Sequence, residues 1–234
     1  MFLDLAKLPN DHVIDCDLCI VGGGAAGITI AREFLGNKLK ICLIESAEQY
    51  HDKSQRLYAG AMQPNRKRSR SIENGVHYGA LALHSRLRFF GGSTNHWGGY
   101  CSPLTPEDLA TRDWIPDSGW PIEWPELSQY YSRAQTVCEI GPFLYDDTLW
   151  RHTAARPYDF NSAKLVHSFY QFSPPTRFGD RYGPDLKSST NVTVLFNANA
   201  TRVGLATSNK ATDLINVKSL SGQRGQIHAR HFVL

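Results

Sequence analysis

Two glycine-rich segments hold most of the residues whose types and spacing could do chemistry. The first, Gly22-Gly23-Gly24-Ala25-Ala26-Gly27, has the G-x-G-x-x-G spacing. In such a turn Gly22 permits the tight bend, Gly24 lets backbone approach a pyrophosphate, and Gly27 lets a helix pack closely on a strand. The amides and positive end of the following helix then hold phosphate oxygens. Glu45, about 20 residues further on, is placed to accept hydrogen bonds from ribose hydroxyls and disfavours a 2′-phosphorylated cofactor. This spacing implies a dinucleotide and does not by itself separate FAD from NAD.

The second segment, Arg86-Leu87-Arg88-Phe89-Phe90-Gly91-Gly92-Ser93-Thr94-Asn95-His96-Trp97-Gly98-Gly99, sets two glycine pairs around Ser, Thr, Asn, His and Trp. Glycines at this density suit close backbone approach to something flat or phosphorylated, and the polar side chains can hydrogen-bond a heteroaromatic ring. The competing reading is a tight structural turn around a buried Trp.

Other reactive residues carry less. Five cysteines, an odd number with no export signal, give no disulfide framework. Cys16 and Cys19 have C-x-x-C spacing but flank or occupy a strand, where no helix start lowers a thiol pKa, so they read as structural thiols. His77, His84 and His167 are acids or bases by type alone, and no His, Cys and carboxylate cluster has metal-ligand spacing. Arg66-Lys67-Arg68-Ser69-Arg70 is a basic cluster that could meet phosphates, yet a solvated loop is the simpler reading. With a net charge of +3 and no accompanying motif, nucleic acid is not an expected partner. Asn191-Val192-Thr193 and Asn199-Ala200-Thr201 match glycosylation sequons, which matter only in an exported protein.

The elements that must position these residues follow from periodicity. Residues 17–21 form an apolar strand, residues 25–35 a helix with Ile28, Ala31, Phe34 and Leu35 on one face, and residues 40–44 a second strand ending at Glu45. Gly36 stops the helix. Strand, helix, strand is a right-handed parallel crossover. Residues 50–125 then abandon strand and helix alternation, so the chain leaves the sheet. That departure, with the Gly91–Gly99 segment, favours FAD over NAD. A helix over residues 125–140 has Leu127, Tyr130, Tyr131, Ala134, Val137 and Cys138 as its apolar stripe. Residues 142–185 show no clear period. Short strands over residues 192–196, 200–205, 214–220 and 226–234 read as a β-meander packed on the nucleotide domain.

The chain has 234 residues, 41% of them hydrophobic, enough for one large domain or two small ones. It has no apolar run of transmembrane length and no signal-peptide pattern, so the expected compartment is cytoplasmic. Its last residues, Phe232-Val233-Leu234, lie inside an apolar run, and the sequence reads as incomplete.

These two segments, with Trp114-Ile115-Pro116-Asp117-Ser118-Gly119-Trp120-Pro121 and Tyr130-Tyr131-Ser132-Arg133-Ala134, resemble the glucose–methanol–choline oxidoreductases, especially their bacterial sugar- and polyol-oxidising branch. The likeness spans nearly the whole chain. It implies an α/β fold: a Rossmann-like, glutathione-reductase-like FAD-binding domain with a β-meander and the beginning of a substrate or cap domain. Residues 13–112 would be the first part of the FAD domain, 113–185 the cap segment, and 186–234 the return to the FAD domain. The implied contacts are Gly22, Gly24, Gly27 and Glu45 on the ADP part of FAD, and Gly92, Ser93, Thr94 and Asn95 beside pyrophosphate and flavin. Ala200 would be a backbone contact to adenine. His96-Trp97 is similar to the pyranose oxidase segment whose histidine carries the flavin covalently. Asn95 stands where that segment has Thr, so both a covalent bond at His96 and a simple hydrogen-bonding role stay open.

The implied chemistry is oxidation of the CH–OH group of a sugar, polyol or other small alcohol by hydride transfer to flavin. The histidine base of that family belongs to a region expected beyond Leu234, so no catalytic residue is assigned here. Substrate and electron acceptor are left open. Two alternatives stand beside this reading: another flavoenzyme of the same fold, such as a monooxygenase, and a truncated, non-catalytic flavin-binding fragment.

Overall fold

The structure, a computed structural model, describes residues 1–50, 86–159, 164–205 and 212–234. The basic cluster Arg66–Arg70 and the histidines His77 and His84 lie outside the described residues. Along the chain come β1 (Phe2–Asp4), β2 (His12–Val21), α1 (Ala25–Glu33), β3 (Ile41–Ile44), β4 (Tyr100–Cys101), α2 (Pro106–Leu109), α3 (Trp124–Val137), β5 (Gln171–Phe172), α4 (Phe178–Ser188), β6 (Val192–Phe196), β7 (Asn199–Leu205), β8 (Thr212–Lys218) and β9 (Arg224–Val233). They divide into two compact units, Met1–His96 with Arg177–Leu234, and Trp97–Thr176. The fold is α/β with a largely parallel sheet, as the sequence pattern implies.

In the first unit, seven strands form one sheet in the order β1-β6-β3-β2-β9-β8-β7. The neighbours from β1 to β9 pair in parallel, whereas β9, β8 and β7 run antiparallel. The continuous apolar run Ile41-Cys42-Leu43-Ile44 is buried at every position, as a parallel strand covered on both faces requires. The β-meander is thus a continuation of the parallel sheet. Its last strand, β9, pairs with β2 from His12↔Gly225 to Ile20↔Val233. This partner also draws β2 back to His12, five residues before the start that the apolar run marks.

The expected crossover is present, with Gly22 N–H donating to the Ile44 carbonyl at 2.8 Å as the strands end. Helix α1 is shorter than its periodicity suggests. It ends at Glu33 with Phe34 as its cap, and Gly36 adopts φ +72°. Asn191 fixes that end: its Nδ2 donates to the Phe34 and Leu39 carbonyls, both at 2.8 Å, and its Oδ1 accepts from Gly36 N–H. The sequon asparagine is therefore part of the turn.

In the first unit, β1 and α4 have no counterpart in the periodicity. Strand β1 adds to the sheet beside β6, and Phe2 packs edge-on against Phe90 and Phe196 with centroids 5.8 and 5.1 Å apart. Helix α4 lies in a segment without a clear period because Gly179, Gly183 and Pro184 interrupt it. Its buried Phe178, Tyr182 and Leu186 nevertheless recur every fourth residue. The two glycines admit Phe90: a Cβ on Gly179 would lie 2.6 Å from the Phe90 carbonyl oxygen, and one on Gly183 3.3 Å from its ring. From α1, the Arg32 guanidinium sits 3.7 Å above the Tyr182 ring.

In the second unit, β4 and β5 form a two-stranded antiparallel ladder. Helix α2 is held by a capping box in which the Asp108 carboxylate accepts from Thr105 N–H at 2.8 Å. Those hydrogen bonds to Thr105 hold the Asp108 carboxyl below its ordinary pKa. The inward face of α3 differs from the expected stripe: Tyr130 is exposed, while Gln135 is buried. Gln135 is accepted inside because its amide donates to the Gly141 and Pro142 carbonyls and its oxygen accepts from the Tyr145 hydroxyl. Tyr131 stacks on Phe143 at 5.5 Å. Among the described residues no helix is long and apolar enough to cross a membrane.

The closest constraint in the crossover is at Gly27, where a Cβ would stand 2.0 Å from the Gly22 carbonyl oxygen. Gly27→Ala should therefore destabilise the chain by about 1–3 kcal/mol, a fall of several degrees in Tm. Thermal unfolding followed by circular dichroism checks this, and an unchanged Tm would contradict the packing described.

Candidate functional site

The site is assembled by two turns meeting backbone to backbone. Gly91 N–H donates to the Gly23 carbonyl at 2.7 Å, and a Cβ on Gly92 would lie 3.2 Å from Gly24 Cα. Gly91 and Gly92 both have positive φ, +95° and +55°, so glycine is favoured there by conformation as well as by space. Together the turns wall a cleft of about 350 Å³ in the first unit.

Gly22, Gly24, Glu45, Gly92, Ser93 and Ala200 all line this cleft. The glycines do three separate jobs. Gly22 makes the bend at φ +106°, and Gly27 permits the close approach of helix and strand. Gly24 caps α1 with no side-chain hydrogen bond, and a Cβ there would meet nothing within 4 Å. Open space thus faces the helix end whose first amides have no intrahelical acceptor. This is the geometry in which an anion binds a helix N-terminus.

Glu45 is 5% exposed and bound on both oxygens. Oε2 accepts from Gly23 N–H at 3.0 Å, and Oε1 accepts from Ala47 N–H and the Ser46 hydroxyl, each at 3.0 Å. The carboxylate therefore holds the glycine turn against the end of β3. Oε2, with one donor, keeps a second lone pair, so the group can still accept from a ligand hydroxyl.

Thr94 and Asn95 sit in the turn but spend their side chains on it. The Thr94 hydroxyl donates to the Gly91 carbonyl at 2.6 Å and accepts from Phe178 N–H at 3.2 Å. Asn95 Nδ2 donates to the Phe90 and Gly92 carbonyls at 2.9 and 3.0 Å. These bonds hold the 3₁₀ turn Gly92–Asn95, at whose end His96 is exposed. Neither Thr94, Asn95 nor His96 lines the cleft itself.

Arg88 is a lining residue that motif spacing passed over. It is 6% exposed, and its Nη2 donates to the Ser46 carbonyl at 2.7 Å and to Asn199 Oδ1 at 2.5 Å. It thereby ties the end of β3 to the start of β7. The available signal was a charged residue directly before the apolar pair Phe89-Phe90. In the second unit, His167 lies beside Asp147, Nδ1 to Oδ1 3.4 Å, with Trp150 and Phe169 against its ring. Among the described residues no group of three or more His, Cys, Asp or Glu is placed to hold a metal ion.

No protein-family model matches the chain, and no curated protein matches it. Solved structures do. The chain is similar to a pyridoxine 4-oxidase from Mesorbium loti, with TM-score 0.50, 17% identity, and coverage of 94% of this chain and 49% of that one. It is similar to formate oxidase with TM-score 0.53, 13% identity, and coverage of 95% and 45%. A mutant formate oxidase from Aspergillus oryzae RIB40, solved for the effect of the mutation on FAD modification, gives TM-score 0.51, 14% identity, and coverage of 95% and 45%. The chain spans about half the length of the solved proteins it matches. What it shares with these oxidases is the fold.

Because Glu45 accepts three local hydrogen bonds, Glu45→Gln places an amide NH₂ against donors. The variant should lose about 1–3 kcal/mol of stability without any ligand present. Chemical unfolding of the wild type and variant measures this. Equal midpoints would mean that the carboxylate does not hold the turn.

Proposed function

We propose that the chain binds FAD in the cleft between its glycine turns and forms the flavin-binding part of a glucose–methanol–choline-type oxidoreductase. The activity assigned is oxidation of CH–OH groups in sugars, polyols or other small alcohols. The observation that carries this reading is the Gly91 N–H to Gly23 C=O bond, since it brings two separately recognised motifs into one cleft with Glu45. The oxidase fold agrees with it.

Each of these residues is assigned a role toward FAD. Gly24 and the first amides of α1 take the pyrophosphate, Glu45 accepts from the ribose hydroxyls, and the backbone at Ala200 meets the adenine. Gly22 and Gly27 shape the turn, and Gly92 and Ser93 line the cleft where the pyrophosphate runs toward the flavin. Thr94 and Asn95 hold that second turn in shape. His96, exposed at the end of the turn, is the residue at which a covalent flavin bond would form. When bound, FAD supplies a two-electron acceptor for the hydride of the alcohol carbon. No residue of this chain is assigned as the proton acceptor. Residues 113–185 are assigned as the beginning of the cap segment, and most of them fall within the unit Trp97–Thr176.

Reconstituting the purified chain with FAD should give a stable yellow complex. Gly24→Ala, which adds a Cβ into open space at an ordinary φ of −83°, should keep the wild-type Tm. It should also weaken FAD binding by about five- to 150-fold, the effect of 1–3 kcal/mol of overpacking. Absence of FAD binding by a folded wild-type chain would overturn the proposal. Acid precipitation then tests His96: flavin that stays with the polypeptide, and is released in His96→Ala, indicates the covalent bond, whereas complete release excludes it. In the protein that carries this chain with a substrate region, anaerobic bleaching by an alcohol or sugar is expected, and reduction by NADPH alone would favour a monooxygenase.

A further inference from the structure

A second cavity, of about 900 Å³, lies wholly in the unit Trp97–Thr176. Its size is in the range of about 300–1,000 Å³ usual for small-molecule sites. Tyr145, Trp150 and Phe169 supply aromatic walls. The Trp150, His167 and Phe169 rings form one edge-on cluster with centroids 5.5 to 6.1 Å apart. The polar atoms of these rings are spent on neighbours: the Tyr145 hydroxyl donates to Gln135 Oε1 at 3.1 Å, and Trp150 Nε1 donates to Asp147 Oδ1 at 3.2 Å. Gln171 of β5 donates to the Pro142 and Leu144 carbonyls at 2.9 and 2.8 Å, which fixes the chain leading into Tyr145.

The same cavity carries three carboxyl groups, Asp146, Asp147 and Asp159, and among the described residues no Lys or Arg lines it. One imidazole, that of His167, faces them, with Nδ1 3.4 Å from Asp147 Oδ1. Asp146 caps the 3₁₀ turn Asp147–His152 and accepts from the Thr148 hydroxyl and from its amide, the latter at 2.9 Å. These bonds, and more weakly Arg151 outside the wall, hold the Asp146 carboxyl below its ordinary pKa. Negative charge beside aromatic faces is the chemistry that holds a cation with an apolar body. The rings attract the cation through their quadrupole, and the carboxylates attract it by charge. An anion would be repelled, and a neutral molecule would leave the charge unanswered.

We propose that this cavity is a binding site for a small organic ammonium ion, with the apolar body against Trp150 and Phe169 and the charge against Asp147 and Asp159. Trp150 has two parts in it: its indole N–H holds Asp147 while its ring forms the wall. Acid and aromatic face are therefore set relative to each other before a ligand arrives, which lowers the ordering cost of binding. The cavity shares no lining residue with the cleft between the glycine turns, so binding here needs no flavin.

The test titrates the purified chain, without flavin, with benzyltrimethylammonium, benzyl alcohol and benzoate, and follows the indole N–H signals of its five tryptophans by NMR. Trp150→Phe identifies the Trp150 signal by its loss. Benzyltrimethylammonium should move that signal saturably, with benzyl alcohol and benzoate at least about ten-fold weaker. Asp147→Asn, which keeps an acceptor for the Trp150 indole, and Asp159→Asn should both retain the wild-type circular dichroism. Each should weaken binding of the ammonium about two- to five-fold, the worth of one exposed ion pair. A folded chain with no saturable shift at Trp150, benzyl alcohol binding as tightly as the ammonium, or unchanged affinity in either Asn variant would overturn the proposal. Tighter binding of methyl glucoside than of the ammonium would overturn it as well, in favour of a sugar site.

Discussion

The Gly91 N–H to Gly23 C=O bond is the contact on which the site rests. Two turns can meet in this way only where side chains are absent, and the geometry shows how little room there is. A Cβ on Gly91 would lie 2.8 Å from Gly179 N, and one on Gly23 would lie 2.8 Å from Glu45 Oε2. Once the backbones meet, their polar groups must be paired internally. Asn95 and Thr94 satisfy carbonyls of the second turn, and Glu45 satisfies the Gly23 amide of the first. The polar residues that flank the glycines thus serve the turns before they serve any ligand.

That docking also drives Phe90 into the core, and the surrounding elements are shaped to receive it. Phe90 is 1% exposed and meets Phe2 and Phe196 edge-on, and the Phe90–Phe196 centroids are 5.4 Å apart. Such pairs contribute about 0.5–1.5 kcal/mol each beyond their buried area. Helix α4 covers the same residue, and its Gly179 and Gly183 give up helix propensity to make the space. A segment that looks unfavourable for a helix is therefore helical because of what lies beneath it.

The long pairing of β2 with β9 closes the sheet on the other side. It turns a β-meander into a direct extension of the parallel strands and sets the start of β2 well before the apolar run. The same strand explains the C-x-x-C pair. Asp17 and Leu18 amides both reach the Lys40 carbonyl, at 2.8 and 3.3 Å, an irregularity that lets Cys16 and Cys19 contact one core cluster despite their odd separation.

The amino-acid sequence by itself determined the glycine turn, the helix and strands around it, the acid at the end of β3 and the strands of the meander. Each of these depends on local rules: period, glycine position and the residues that start or stop an element. Only the tertiary structure decided that the second glycine segment docks on the first, that Arg88 lies in the cleft wall, and that β1 and α4 form. These features join residues far apart in the chain, and the favourable terms that create them, burial, backbone pairing and aromatic contact, exist only once the distant partner has arrived. No local pattern carries that information.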